Sequence, residues 1–75
     1  MQHLGTHLNP DKWIEQLFGS RNAAQGGVVR RRTRDIERLV GIERFRHEIE
    51  RRGFTAISNA GHTVIFCNQD PITRL

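Results

Sequence analysis

Residues 33–68 read TRDIERLVGIERFRHEIERRGFTAISNAGHTVIFCN, and this stretch decides the fold. Apolar residues recur at helical spacing on both sides of Gly41, and a β-prone segment follows Gly53. Thr33 can cap a helix that extends to Leu39, and glycine at position 41 favours the left-handed conformation that ends it. The pattern predicts a short helix, a corner, a second helix with Gly53 as its C-terminal cap, and a hairpin.

The second helix is expected over Ile42–Arg52, because Ile42, Phe45 and Ile49 fall on one side at i, i+3 and i+7. At 100° per residue, the opposite side presents Glu43, Arg44, His47 and Arg51. Three pairs of i, i+4 neighbours are expected to stabilise this helix by a few tenths of a kcal/mol each. These pairs are Glu43–His47, Arg44–Glu48 and Arg46–Glu50.

The hairpin is predicted from two β-prone runs, residues 54–58 and 63–67, that flank Asn59-Ala60-Gly61-His62. Asparagine and glycine between two such runs favour a tight turn. The second run is apolar without alternation. We therefore expect it to be covered on both faces or to be central in its sheet.

An additional helix is expected near the N-terminus. Asn9 can act as its N-cap, Pro10 suits the first helical position, and Asp11 favours the positive end of the helix dipole. An apolar stripe follows, and the helix should end between positions 18 and 24. The stripe consists of Trp13, Ile14, Leu17 and Phe18.

The 75 residues allow one small domain, expected over residues 9–68 between a flexible leader (1–8) and a tail (69–75). Trp13 and the four phenylalanines are expected to belong to its core. Paired valines favour a short extended segment over Val28–Arg32, but the sequence does not decide whether this segment joins the sheet.

Positive charge is concentrated in the middle of the chain. Residues 30–54 contain nine arginines against five acidic residues, a local net charge of +4 that equals the total for the chain. Such a concentration suits a polyanionic partner. It suits a solvated helix face with internal ion pairs about equally well.

The sequence favours an intracellular, cytoplasmic protein without a catalytic site. Cys67 is the only cysteine, so no internal disulfide can form. We find neither a signal peptide nor an apolar run of the ~20 residues that a membrane span needs. His3 and His7 have metal-ligand spacing, but Gly5 between them favours a disordered leader, and we expect no metal or cofactor.

The element order resembles that of the winged helix-turn-helix family, whose members mostly bind DNA. TRDIERLVGIERFRHEIERRGF looks like its two-helix unit, and FTAISNAGHTVIFC is similar to its two wing strands. The resemblance covers roughly residues 10–68 and rests on order and spacing. It implies a small α+β domain with three helices, a C-terminal β-hairpin and space for a short third strand.

The resemblance implies that Ile42–Arg52 enters the major groove, with Arg44 and Arg51 as the principal readers, because arginine can form two hydrogen bonds with guanine. His47 could add a contact or could pair with Glu43. Four further arginines could bind phosphate, or could protect an exposed strand edge from aggregation. These are Arg30, Arg31, Arg32 and Arg34.

Two features argue against DNA: the hairpin turn has no lysine or arginine, and Glu43 and Glu50 lie near the proposed reading face. Double-stranded DNA is the leading partner, and a transcriptional regulator or accessory factor is the leading function. The alternative is a protein-interaction module or homodimer that uses the apolar strand near Val64–Cys67 or the N-terminal helix around Trp13. Structured RNA is a third possibility, whereas a small-molecule substrate is not expected.

Overall fold

The protein is a small α+β domain, and the computed structural model describes residues 9–75. The predicted leader, including His3 and His7, lies outside this range. The elements are α1 (Pro10–Phe18), α2 (Arg21–Ala24), β1 (Val28–Arg32), α3 (Thr33–Leu39), α4 (Ile42–Arg52), β2 (Thr55–Asn59) and β3 (His62–Phe66). No helix in the described range is long and apolar enough to cross a membrane.

Helix α1 begins as its sequence predicts. The Asn9 side chain accepts a hydrogen bond from the backbone N–H of Lys12 at 2.8 Å, and Pro10 occupies the first turn. The helix ends at Phe18, inside the expected window.

The prediction of three helices is wrong, since residues 9–75 contain four. The additional helix, α2, is capped by Ser20, whose Oγ accepts from the Ala23 N–H at 3.4 Å and donates to the Leu17 carbonyl at 2.8 Å. Four residues are too few to show helical periodicity in a sequence, but this turn buries Ala23 in the core.

The two central helices break at Gly41, as predicted. Val40 is the C-cap of α3, and Gly41 is the N-cap of α4 with φ +95° and ψ 138°. Its φ is positive as expected, but its ψ lies outside the left-handed helical region. Gly53 does adopt the left-handed conformation and caps α4.

Thr33 does not cap α3, which corrects the sequence prediction. It is the first helical residue, and Arg32 occupies the N-cap position without a side-chain hydrogen bond. The Thr33 hydroxyl instead shares a hydrogen bond of 2.8 Å with the hydroxyl of Thr63 in β3. The local sequence predicts that this hydroxyl caps α3, but it bonds instead to a residue thirty positions away.

The antiparallel sheet has the strand order β1-β3-β2. Val28–Arg32 therefore joins the sheet as an edge strand, and β3 is central, as its unbroken apolar run predicts. The hairpin strands are Thr55–Asn59 and His62–Phe66, displaced by one residue from the expected runs. Ala60 and Gly61 form the two-residue turn with φ 52° and 78°.

The helices cover one face of this sheet, which we call the inner face. Val29 lies opposite Ile65 on that face, and both are buried. The core cluster consists of Leu17, Ala23, Val29, Ile36, Phe45, Ile49, Ile65 and Cys67, with Trp13, Phe18 and Phe54 packed partly buried against it. Phe66 lies instead on the outer face, opposite Val28 and Thr55, so the expectation that every phenylalanine is core is wrong.

Candidate nucleic-acid interface

The arginine run at the end of β1 is divided between the two faces of the sheet. Arg30 lies opposite Val64, and Arg32 lies opposite His62, so both arginines belong to the outer face and are exposed. Arg31 belongs to the inner face because side chains alternate along a strand. The sequence alternation thus gives two outward guanidinium groups rather than three.

Arg31 lies in a different environment from its neighbours. It is half-buried and lines a cavity of about 150 Å³ together with Trp13, Gln16 and Leu17 of α1. Its Nη1 donates to the carbonyl of Arg30 at 2.7 Å. Arg31 therefore contributes to the junction between β1 and α1.

Arg34 lies in the first turn of α3, next to the hairpin. The Thr33 N–H donates to the Gly61 carbonyl at 2.9 Å and so ties the start of α3 to the β2–β3 turn. His62, which follows that turn, is the cross-strand neighbour of Arg32. We call Arg30, Arg32, Arg34 and His62 the arginine corner.

The arginine corner has no carboxylate partner among residues 9–75. The ion pairs in this range are Arg44–Asp11, Arg46–Glu43, Arg51–Glu48 and Arg52–Glu48. All involve arginines of α4. The exposed guanidinium groups of β1 and α3 are therefore available to form hydrogen bonds with an external anion.

Helix α4 presents its predicted reading residues to solvent, but the two arginines already have partners. Arg44 forms an ion pair and hydrogen bond with Asp11 of α1. Arg51 donates from Nη2 to Glu48 Oε1 at 2.8 Å. His47 is exposed and does not pair with Glu43, which instead lies 3.8 Å from Arg46.

The three predicted i, i+4 pairs do not form within 4 Å in α4. Glu48 Oε1 instead pairs with Arg51 Nη2 at 2.8 Å and with Arg52 Nε at 3.3 Å, both on its C-terminal side. Arg44 pairs with Asp11 of α1. The spacing of charges therefore identified the charged helix but not the partners of its side chains.

Glu48 is the most enclosed of the paired carboxylates, with a side chain 13% exposed. Burial raises the pKa of Glu48, but hydrogen bonds and positive charge from Arg51 and then Arg52 outweigh burial and hold this pKa below its ordinary value. The carboxylate is therefore ionised at neutral pH and holds two guanidinium groups of the last turn.

Arg52 makes a contact that the sequence analysis did not identify. Its guanidinium carbon lies 4.3 Å from the centroid of the Phe18 ring, and that ring packs against Phe54 at 5.8 Å. A cation over an aromatic face is attracted by the ring quadrupole. This contact connects the C-terminus of α1 to α4. Local sequence patterns could not predict it, because Phe18 and Arg52 are far apart in the sequence.

No three histidine, cysteine or acidic side chains in the range 9–75 lie close enough to hold a metal ion. Cys67 is buried, and burial raises the pKa of its thiol despite the opposing charge of Arg52.

Comparisons with known proteins return no relative. No protein-family model matches the chain, and neither the curated proteins nor the solved structures contain a significant match.

Proposed function

We propose that this chain is a small DNA-binding domain of the winged helix-turn-helix kind, acting in the cytoplasm as a transcriptional regulator or accessory factor. The observation that carries the proposal is the arrangement around Gly41. Helices α3 and α4 meet there, the β2–β3 hairpin follows, and the arginine corner lies where that hairpin meets α3.

The arginine corner is the proposed phosphate-binding surface. Arg30, Arg32 and Arg34 are exposed and have no carboxylate within 4 Å among the described residues, so DNA does not have to displace an internal partner. Guanidinium groups bind phosphate with paired hydrogen bonds.

Helix α4 is the proposed reading helix, with Arg44, His47 and Arg51 directed away from its apolar side. Arg44 and Arg51 exchange their carboxylate partners for bases or phosphates on binding. For Arg44 this exchange is inexpensive, because the side chains of Arg44 and Asp11 are 42% and 75% exposed and ion pairs at such sites contribute only about 0–1 kcal/mol.

Fluorescence anisotropy with a labelled DNA duplex, repeated over a series of salt concentrations, tests the proposal. Each phosphate contact contributes about 0.9 to the slope of log affinity against log salt concentration. The double substitution Arg30→Ala/Arg32→Ala is expected to lower affinity and reduce this slope by about 2. Arg44→Ala/Arg51→Ala is expected to lower affinity as well.

The matched control is Arg21→Ala/Arg74→Ala, which removes the same charge from exposed positions in α2 and the tail. The control is expected to change affinity much less than either test variant. Binding that ignores salt, or equal losses in all three double variants, contradicts a defined DNA-binding surface. A preference for structured RNA over duplex DNA in competition redirects the proposal to RNA.

One observation favours the second candidate, a protein-interaction module. Both predicted reading arginines, Arg44 and Arg51, are bonded to carboxylates, and the Ala60-Gly61 turn carries no positive charge. Pull-down by a protein partner together with an affinity for DNA that is insensitive to all of these arginines would support that candidate instead.

A further inference from the structure

Strand β2 forms an open edge of the sheet that carries no protective charge. Within residues 9–75 it pairs only with β3, and its sequence TAISN contains no charged residue or proline. The opposite edge, β1, carries three arginines. Proteins commonly use charge, proline or a bulge to stop an edge strand from pairing with another chain. Such protection is present on β1 and missing on β2.

Two backbone hydrogen bonds show which residues of β3 direct their N–H and C=O groups towards β1. The Cys67 N–H donates to the Gly27 carbonyl at 2.9 Å, and the Thr33 N–H donates to the Gly61 carbonyl at 2.9 Å. Both bonds lie on the β1 side of β3. Because the direction alternates along an antiparallel strand, the odd-numbered residues from 61 to 67 direct their backbone groups towards β1.

The even-numbered residues of β3 therefore bond to β2, and their partners are Asn59, Ile57 and Thr55. The remaining two residues of β2, Ala56 and Ser58, direct their N–H and C=O groups away from β3, towards the open edge. No other backbone or side-chain partner for these groups occurs within residues 9–75. The edge thus presents two donors and two acceptors at regular spacing.

We propose that a second copy of this chain pairs with β2 in antiparallel orientation, with the two-fold axis passing beside Ile57. Ala56 then lies opposite Ser58 of the second copy, and Ser58 lies opposite Ala56 of the second copy. Four backbone hydrogen bonds form, and the two sheets join into one sheet of six strands.

The spacing of free groups favours this occupant. Ala56 and Ser58 lie symmetrically about Ile57, so the pattern of donors and acceptors complements itself under a two-fold rotation. Pairing places the two Ile57 side chains at a closely spaced position on the outer face, with Cβ atoms about 4.5–5.5 Å apart. Ile57 is 46% exposed in the single chain, and this contact covers it.

Charge also favours β2 over β1 as the edge for self-association. Pairing of two copies through β1 would bring the arginines of two strands together, and like charges on facing strands are destabilising. Pairing through β2 brings only neutral side chains together. The arginine corner lies on the other edge and remains free in such a dimer.

Space remains between β2 and the neighbouring helix α4. Two cavities of about 260 and 420 Å³ lie between α4 and β2, and both are lined by Phe45, Arg46 and Ala56. Open space therefore remains between α4 and the inner face of β2. The inward side chains brought by the second copy at this edge, Ala56 and Ser58, are small.

Sedimentation equilibrium over a range of protein concentrations tests the proposal. The unmodified chain is expected to show a monomer–dimer equilibrium, and Ile57→Lys is expected to raise its dissociation constant at least about tenfold. The matched control is Val28→Lys, at the outer face of β1, where the residue is 48% exposed against 46% for Ile57. The control is expected to change the constant less than about twofold.

Covalent trapping gives a second readout that does not depend on a lysine in the sheet. Ile57→Cys is expected to form a disulfide-linked dimer under mild oxidation, because facing residues at this position have the Cα separation that a disulfide needs. Val28→Cys is expected to remain largely monomeric, and the native Cys67 is buried. A strictly monomeric unmodified chain, or equal trapping through positions 28 and 57, overturns the proposal.

Discussion

Arg44 in the first turn of α4 is paired with Asp11 in the first turn of α1. The side chains are 42% and 75% exposed, so the pair lies at the surface and contributes about 0–1 kcal/mol to stability. Its importance lies in competition. In the free protein, Asp11 holds the guanidinium group that DNA would bind in the proposed complex.

Asp11→Asn is therefore expected to raise affinity for duplex DNA about two- to tenfold, because Arg44 loses its internal partner and repulsion of phosphate is reduced. Anisotropy titration measures this effect. Glu15→Gln is the control, since it removes the same charge from an exposed position of α1 that forms no ion pair with any other residue in the range 9–75. If both variants bind equally well, the increase reflects net charge alone and Arg44 is not released for DNA.

Substitutions at Ala60 and Gly61, the two residues of the β2–β3 turn, are expected to change stability in opposite directions. Both residues have positive φ, 52° and 78°, a conformation that favours glycine. Ala60→Gly is expected to stabilise the domain by about 0.5–1 kcal/mol, and Gly61→Ala is expected to destabilise it by about 1 kcal/mol. A Cβ at position 61 meets nothing within 4 Å, so this loss reflects backbone conformation rather than a clash. Urea unfolding checks both signs, and a loss of stability in Ala60→Gly would contradict the assigned turn.

Features that depend on neighbouring residues could be predicted from the sequence. The Asn9 cap, the corner at Gly41, the Gly53 cap and the hairpin each follow from a residue type at a defined local position. The central place of β3 follows from its unbroken apolar run. Prediction failed where an element is too short, as in α2, and it was displaced by one residue where Asn59 extends a strand instead of the turn.

The partners of charged and polar side chains could not be predicted, because they lie far away in sequence. Asp11 is thirty-three residues from Arg44, and Thr63 is thirty residues from Thr33. The division of the arginine run was accessible in principle, since alternation separates Arg31 from its neighbours once β1 is accepted as a strand. The burial of Arg31 against α1 required the tertiary structure.

Glu48 makes stability depend on pH in a defined direction. Burial raises its pKa, but Arg51 and Arg52 outweigh burial and lower the pKa below its ordinary value. The folded state therefore binds the proton more weakly than the unfolded state, whose carboxyl pKa is about 4.3. This contribution to stability is present above that pKa and is lost as pH falls through the lower pKa of the folded state.

Glu48→Gln is expected to lower the free energy of unfolding by about 1 kcal/mol at pH 7 and to reduce its decrease as the pH falls below the ordinary carboxyl pKa of about 4.3. Urea unfolding at a series of pH values measures both effects. Glu50→Gln is the control, because Glu50 is exposed and forms no ion pair in α4. Parallel pH profiles for the unmodified chain and Glu48→Gln would exclude this role for Glu48.

Gly41→Ala tests the corner on which the proposed function depends, and the sign of its effect distinguishes two structures. In a continuous helix through position 41, alanine would stabilise the chain by about 1 kcal/mol relative to glycine. At the observed φ of +95° and ψ of 138°, alanine is strained and is expected to destabilise the domain by about 1–3 kcal/mol. A Cβ there meets nothing within 4 Å, so the loss does not come from a clash. Urea unfolding therefore separates a corner, for which the midpoint falls, from a single helix, for which it rises.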